Sequence, residues 1–366
     1  MTTKITIPYG RQSIDAGDVQ SVVEVLRSDW LTTGPKVERL EHVFSNFVGS
    51  KYSVAVSNGT AALHCAMAAI GIGSGDEVII PAITFVATAN SVVFQSGTPV
   101  FADVENDTLL IDVKDVEKKI TPRTKAIIAV DYAGQPADYS RLQALASQYK
   151  LPIIADACHA IGGSYKGKPV GALADLSTFS FHPVKNITTG EGGMITTNND
   201  STAEMARKLI NHGQEGTYNH VIIGNNYRLG EMQCAIGIEQ LKKLDYFTKR
   251  RRKIAKMYSD LLGPGIVLPE EKNYAKHAYH LYVIRCNSHK RSSLMNFMKE
   301  KNVQCGIHYP RACHQQKAVP KHYCNESLPV TEKIVKEIVS LPIYPLLSDD
   351  DVEMIASSMT KGINTV

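Results

Sequence analysis

The sequence predicts an α/β fold: a mostly parallel central sheet with helices on both faces, and a smaller α+β domain towards the C-terminus. Three observations carry that reading. Short apolar segments alternate with helical ones through the first half of the chain. A long amphipathic stretch then runs from about Arg228 to Leu262 and breaks at Gly263-Pro264-Gly265, and the texture beyond it is different. A chain of 366 residues exceeds what one simple core accommodates. The division expected is a large α/β domain over residues 1–245 and a small α+β domain over 246–366.

The elements follow in order. Val37, Leu40, Phe44 and Phe47 repeat at helical spacing, with Gly49 placed as a C-cap. Thr60 to Ile70 reads as helix, Glu77 to Ile80 as strand, and Thr84 to Gln95 as helix again. Pro99 to Val104, Lys125 to Asp131 and Leu151 to Asp156 are apolar strand segments, separated by helical Asp112 to Ile120 and Tyr139 to Tyr149. In Gly71-Ile72-Gly73-Ser74-Gly75 a helix precedes the glycines and a strand follows them. A dinucleotide loop needs the opposite order, so this is a helix C-cap and turn. The terminal domain offers a strand from His280 to Cys286, a helix from Ser292 to Lys301, a strand near Val303 to His308 and a last helix from Asp349.

Composition excludes several function classes. A net charge of +4 is small for this length and gives no broad basic face for nucleic acid. The densest basic run, Lys249-Arg250-Arg251-Arg252-Lys253, reads as a solvated helix face. The seven cysteines form no CxxC pair, and neither Cys158-His159 nor Cys313-His314 has a second cluster to complete a metal site. No metal is expected. Met1 to Tyr9 lacks the apolar core of a signal peptide, and no apolar run reaches membrane-spanning length, so a cytoplasmic protein is expected.

The chemistry concentrates in four segments. In Phe181-His182-Pro183-Val184-Lys185-Asn186-Ile187-Thr188-Thr189-Gly190-Glu191-Gly192-Gly193 the proline and glycines forbid an ordinary helix. A lysine crowded and partly desolvated in such a loop has a lowered pKa, which frees its amine for Schiff-base chemistry. Ile153-Ile154-Ala155-Asp156-Ala157-Cys158-His159 is a strand ending in a carboxylate at the ligand-binding edge of a parallel sheet. Asp156 there suits a protonated pyridine nitrogen, the condition under which pyridoxal phosphate (PLP) is an electron sink. It would equally serve as a helix N-cap. Ser57-Asn58-Gly59-Thr60-Ala61-Ala62-Leu63 opens a helix with free N–H groups, a natural phosphate seat that an ordinary N-cap also resembles. Thr84-Phe85-Val86-Ala87-Thr88-Ala89-Asn90 supplies an aromatic ring able to stack on a flat cofactor or to fill the core.

Taken together and in this order, the four segments resemble the DegT/StrS-type nucleotide-sugar aminotransferases, which are fold-type I PLP enzymes. The likeness extends over nearly the whole chain and includes Asn225-Asn226-Tyr227-Arg228-Leu229 and Gly306-Ile307-His308-Tyr309. It implies that Lys185 binds the cofactor covalently and then shuttles a proton as general acid and base. It implies that Asp156 pairs with the ring nitrogen, His159 contacts the ring oxygen and Phe85 stacks on the ring face. Thr60, Ala61 and Ser180 would hold the phosphate, and Asn226 would reach the phosphate of a neighbouring subunit in a homodimer with shared sites. His308 and Tyr309 would lie near the sugar nucleotide, and Arg228 is a candidate for an anionic group or a structural ion pair. Glu191 fits the family loop without an assigned role.

Within the family, Ile7-Pro8-Tyr9-Gly10, Val130-Asp131-Tyr132-Ala133-Gly134 and the Lys185 loop look most like members serving pseudaminic acid synthesis. Those take glutamate as amino donor and a UDP-linked 4-keto-6-deoxy-N-acetylhexosamine as acceptor. Relatives acting on bacillosamine, perosamine or lipid A precursors are the alternative substrates. Lys185 and Asp156 alone would also suit a PLP lyase, an aldolase or a PLP-binding regulator.

Overall fold

The computed structural model describes residues 6–320, 323 and 327–365. The first five residues of the N-terminal stretch read above lie outside it. Twelve strands and eleven α-helices are found among the described residues. The strands of the main sheet are β1 (Tyr52–Val56), β2 (Glu77–Pro81), β3 (Thr98–Ala102), β4 (Thr124–Val130) and β5 (Ile153–Asp156). After a two-residue hairpin of β6 (Ser164–Tyr165) and β7 (Lys168–Pro169) come β8 (Leu176–Ser180) and β9 (Gly193–Thr197). The seven-stranded order is β1-β9-β8-β5-β4-β2-β3, and β9 alone runs against the rest. This is the mostly parallel sheet the alternating segments predict.

Helices cover both faces because each carries an apolar stripe that one sheet face must bury. One layer joins α2 (Pro35–Val48) and α6 (Tyr139–Tyr149) to the sheet through Leu40, Phe44, Leu142 and Phe179. The opposite layer is built from α3 (Gly59–Ala69) and α4 (Val86–Phe94) through Ala62, Met67, Val92 and Ile128. Gly71 takes a φ of 72°, a left-handed conformation that ends the α3 segment as a turn.

The 31-residue helix α8 (Glu231–Leu261) joins two cores. Its first half packs Leu241 and Leu244 into the sheet-side core, and its second half packs Ile254 and Tyr258 into the terminal core. The terminal part holds the antiparallel pair β11 (Tyr282–Arg285) and β12 (Ile338–Leu341), with α9 (Arg291–Glu300) and α11 (Asp349–Thr365). No described helix is long and apolar enough to cross a membrane.

Two expectations need correction. The segment near Val303 to His308 is not a strand, because it makes only single bridges, Ile7 to Val303 and Gly306 to Ser340. It turns away after Gly306 and delivers His308 to the cleft described below. The basic run on α8 is only partly solvated. Arg251 is 1% exposed and donates through Nη1 to the carbonyls of Tyr279, His280 and Ile343. Arg250 pairs with Asp349 and Arg252 with Glu271. The segments carrying Glu271, Tyr279, His280, Ile343 and Asp349 lie over the three arginines and tie them to carbonyl and carboxylate oxygens, whereas Lys249 and Lys253 stay exposed.

Candidate active site

A cleft of about 660 Å³ opens at the carboxyl edge of the parallel strands. Open α/β sheets bind ligands there because the strand-to-helix loops and helix N-termini converge. Lys185, Asp156, His159, Phe85, Thr60, Ala61, Ser180, His308 and Tyr309 all line it. Nine of the eleven site residues expected from sequence are therefore gathered in one place.

Asp156 ends β5 and is 6% exposed. Its Oδ2 accepts from the Thr88 hydroxyl at 2.7 Å, and Thr88 in turn meets Thr84 Oγ1 at 2.7 Å. Its Oδ1 accepts from the Cys158 N–H at 3.3 Å. A buried carboxylate needs such donors or a cation to remain in place. These bonds aim Asp156 while leaving acceptor capacity for a protonated ring nitrogen.

His159 follows on the loop after β5. The backbone N–H of Ala133 donates to its Nδ1 at 3.3 Å. A backbone amide can only donate, so Nδ1 carries the lone pair and the neutral ring keeps its proton on Nε2. Burial and the neighbouring Lys185 charge hold the imidazole well below the usual histidine range. The ring packs 4.4 Å from that of His280.

The Lys185 loop is pinned at both ends. The Lys185 N–H donates to the His182 carbonyl at 2.8 Å, and Thr188 Oγ1 donates to the Phe181 carbonyl at 2.9 Å. Asn186 is buried, and its Nδ2 donates to the carbonyls of Ile161 and Ala278 at 3.2 and 3.3 Å. Burial pushes the Lys185 ammonium below its ordinary value, against smaller opposing effects of Cys158 and Asp156. An amine held this way is deprotonated more readily, as a nucleophile requires.

At the other side of the cleft, Asn58 caps α3 by accepting the Ala61 N–H at 2.8 Å. The Gly59 and Thr60 N–H groups have no intrahelical acceptor at that end and face the cleft with the helix dipole behind them. A Cβ on Gly59 would lie 2.8 Å from the Cβ of Ser180, so only glycine lets β8 and α3 approach this closely. That approach forms a cradle of N–H and hydroxyl donors of the kind a phosphate occupies. Phe85 stands at the N-cap of α4, 56% exposed, with its ring 5.9 Å from that of Tyr309. His308 Nδ1 meets Ser340 Oγ at 2.9 Å, and burial lowers its pKa to about 4.

Asn226 and Arg228 do not line this cleft. Asn226 bridges to Asn211, and Arg228 donates to the Asn211 side-chain oxygen. Glu191 does line it. Sequence reasoning assigned no role to Tyr9, Tyr132, Thr88 or His280, which also shape the site. Tyr9 packs its ring 5.2 Å from His308, and the Tyr132 hydroxyl donates to the His308 carbonyl. Tyr9 and Tyr132 sit in segments that carried the resemblance, and Thr88 lies one helical turn after Thr84, which is the signal that could have found it. Among the described residues no group of three or more His, Cys, Asp or Glu side chains is placed to hold a metal ion.

A desolvated loop lysine, a buried aspartate at a strand end and a donor cradle at a helix N-terminus are features that suit a fold-type I PLP enzyme, and the reaction class comes from the family. The comparisons with known proteins agree. Residues 12–360 match the DegT/DnrJ/EryC1/StrS aminotransferase family, and the chain belongs to that family. It is 38% identical to the uncharacterized protein MJ1066 of Methanocaldococcus jannaschii over 98% of both chains. It superposes on Helicobacter pylori PseC, an aminotransferase of pseudaminic acid biosynthesis, with a TM-score of 0.95, 31% identity and coverage of 99% and 100%. The PLP form of the putative sugar aminotransferase Spr1654 of Streptococcus pneumoniae gives a TM-score of 0.93 at 28% identity, covering 98% and 99%. Pyridoxal phosphate is the cofactor of this chain.

Proposed function

We propose that this sugar aminotransferase moves the amino group of glutamate to C4 of a UDP-linked 4-keto-6-deoxy-N-acetylhexosamine. The product would be UDP-4-amino-4,6-dideoxy-N-acetyl-β-L-altrosamine, a precursor of pseudaminic acid, and the protein would work in the cytoplasm. The observation that carries the reading is the cleft itself, which joins a buried amine and carboxylate to a rim of neutral polar rings, His308 and Tyr309. Neutral donors suit the hydroxyls and amide of an uncharged sugar. The likeness to PseC supports the choice of sugar, while Spr1654 resembles the chain almost as well.

When bound, pyridoxal phosphate supplies the electron sink through which an amine passes between two carbon skeletons. The residues divide the remaining work. Lys185 Nζ would tether the cofactor and then carry a proton between the two reacting carbons. Asp156 would keep the ring nitrogen protonated, and His159 would donate from Nε2 to the ring oxygen. Thr60, Ser180 and the first turn of α3 would hold the phosphate. The Ala61 N–H is already taken by Asn58, so Ala61 would act through the shape of that turn. Phe85 would cover the ring face. Asn226 and Arg228 would face a second copy of the chain in a homodimer, Asn226 towards its phosphate and Arg228 towards an anionic group of its substrate.

The test is a panel of UDP-4-keto-6-deoxy sugars with glutamate, followed by magnetic resonance of the product. Formation of 2-oxoglutarate with the altrosamine-forming sugar as the best acceptor is the expected result. Preferential amination of a bacillosamine, perosamine or lipid A precursor would replace the substrate while leaving the reaction class.

A further inference from the structure

Three polar side chains outside the reacting centre form a short chain. Gln95 Nε2 lies 2.7 Å from His64 Nε2, and His64 Nδ1 lies 3.1 Å from the Tyr227 hydroxyl. An amide nitrogen offers only hydrogens, so the His64 Nε2 accepts and its Nδ1 carries the proton. His64 therefore donates to the Tyr227 oxygen, and the Tyr227 O–H keeps its own hydrogen for a further acceptor. Tyr227 lines the cleft. Burial lowers the pKa of His64, which favours the neutral ring this order requires.

The three residues come from three elements that each supply a site residue. His64 lies one turn below Thr60 on α3, Gln95 caps the end of α4 behind Phe85, and Tyr227 sits between Asn226 and Arg228. The backbone repeats the connection. The Ser57 N–H donates to the Tyr227 carbonyl at 2.7 Å, and the Tyr227 N–H donates to the Ile210 carbonyl at 2.9 Å. In an extended segment alternate side chains point to opposite sides. Turning Tyr227 inward onto His64 therefore turns Asn226 and Arg228 outward.

We propose that His64 is a positioning residue, which locks Tyr227 against the phosphate-seat helix and so sets the register of the segment carrying Asn226 and Arg228. The proposal rests on the site reading given above, in which that segment completes a cofactor site. His64→Leu keeps the bulk and removes the donor, whereas His64→Asn places an amide nitrogen close to where Nδ1 lies. The measurements are the PLP dissociation constant of the unloaded protein by equilibrium dialysis, then KM and kcat.

His64→Leu and Tyr227→Phe should each weaken PLP binding about fivefold to tenfold, the effect of one partly buried hydrogen bond. The double variant should be no worse than either single one, because both remove the same link. His64→Asn should restore most of the affinity, and in the two His64 variants kcat at saturating cofactor should fall less than twofold. Additive losses, a His64→Asn variant as weak as His64→Leu, or unchanged affinity in His64→Leu would overturn the proposal. A wild-type protein that binds no PLP would instead overturn the site reading itself.

Discussion

The floor of the cleft and the exposed segment before Asn226 are built on different terms. On the floor, Asp156, Thr88, His159 and Asn186 are all buried, and each is held by hydrogen bonds from its own chain. Outside the cleft, the segment preceding Asn226 carries Tyr218 at 86% and Ile223 at 95% exposure, with Val221 at 45%. Single exposed apolar residues are ordinary, but three within six positions fit the face proposed above to meet a second copy of the chain. The floor is pre-organised by its own chain, and the exposed segment would be covered only in the proposed homodimer. Chemistry that needs a fixed lysine and carboxylate belongs on the first, and the proposed assembly would use the second.

That contrast can be broken most decisively at the floor. Lys185→Ala should lower transamination by about a thousandfold or more, since tether and proton carrier are lost together. Its thermal unfolding should stay close to wild type, as a loop side chain adds little to the core. Asp156→Asn should cost on the order of a hundredfold in kcat by releasing the ring-nitrogen proton. Normal turnover in either variant would remove that residue from the chemistry. Thr88→Val leaves Asp156 in place but takes away its 2.7 Å donor. A loss of about tenfold in kcat/KM is expected, the effect of one hydrogen bond to a charged group.

The exposed segment should respond in assembly before it responds in chemistry. Ile223→Asp should raise the dimer dissociation constant about tenfold in sedimentation, an effect consistent with one buried aliphatic side chain. Mixed dimers with Asn226→Ala in one subunit should bind PLP less tightly at one site and normally at the other. Equal affinity at both sites would leave Asn226 without the role proposed for it.

The smallest effect is on stability. Burial depresses His308 from 6.5 to about 4 in the folded protein. Between these values the unfolded chain binds a proton that the folded one does not. The contribution of His308 is therefore complete above about pH 6.5 and lost as pH falls towards 4. His308→Asn should flatten that part of the curve of Tm against pH.

Much of this site is legible in the sequence because its residues stand where chain geometry changes. Asp156 closes a strand, Lys185 sits among a proline and glycines that forbid a helix, and Gly59-Thr60 opens a helix. The supporting residues are hidden because their neighbours disguise them. Thr88 is one of three polar residues in α4, and His280 merely precedes the apolar strand β11, so neither carries a local sign of its role. Arg251 was misread for the opposite reason: four basic neighbours suggest water, whereas the acceptors that bury it come from residues 279, 280 and 343. Tertiary acceptors of that kind leave no local pattern. The segment at 303–308 has strand-like residues but finds only one partner at a time, and pairing is also a tertiary fact.

The most direct measurement is the visible absorbance of the protein loaded with pyridoxal phosphate, recorded after glutamate and again after the UDP-4-keto sugar. Glutamate should abolish the carbonyl-form band, the sugar should restore it, and Lys185→Ala should show neither change at a catalytic rate. A band that ignores glutamate and every sugar would contradict the proposed reaction.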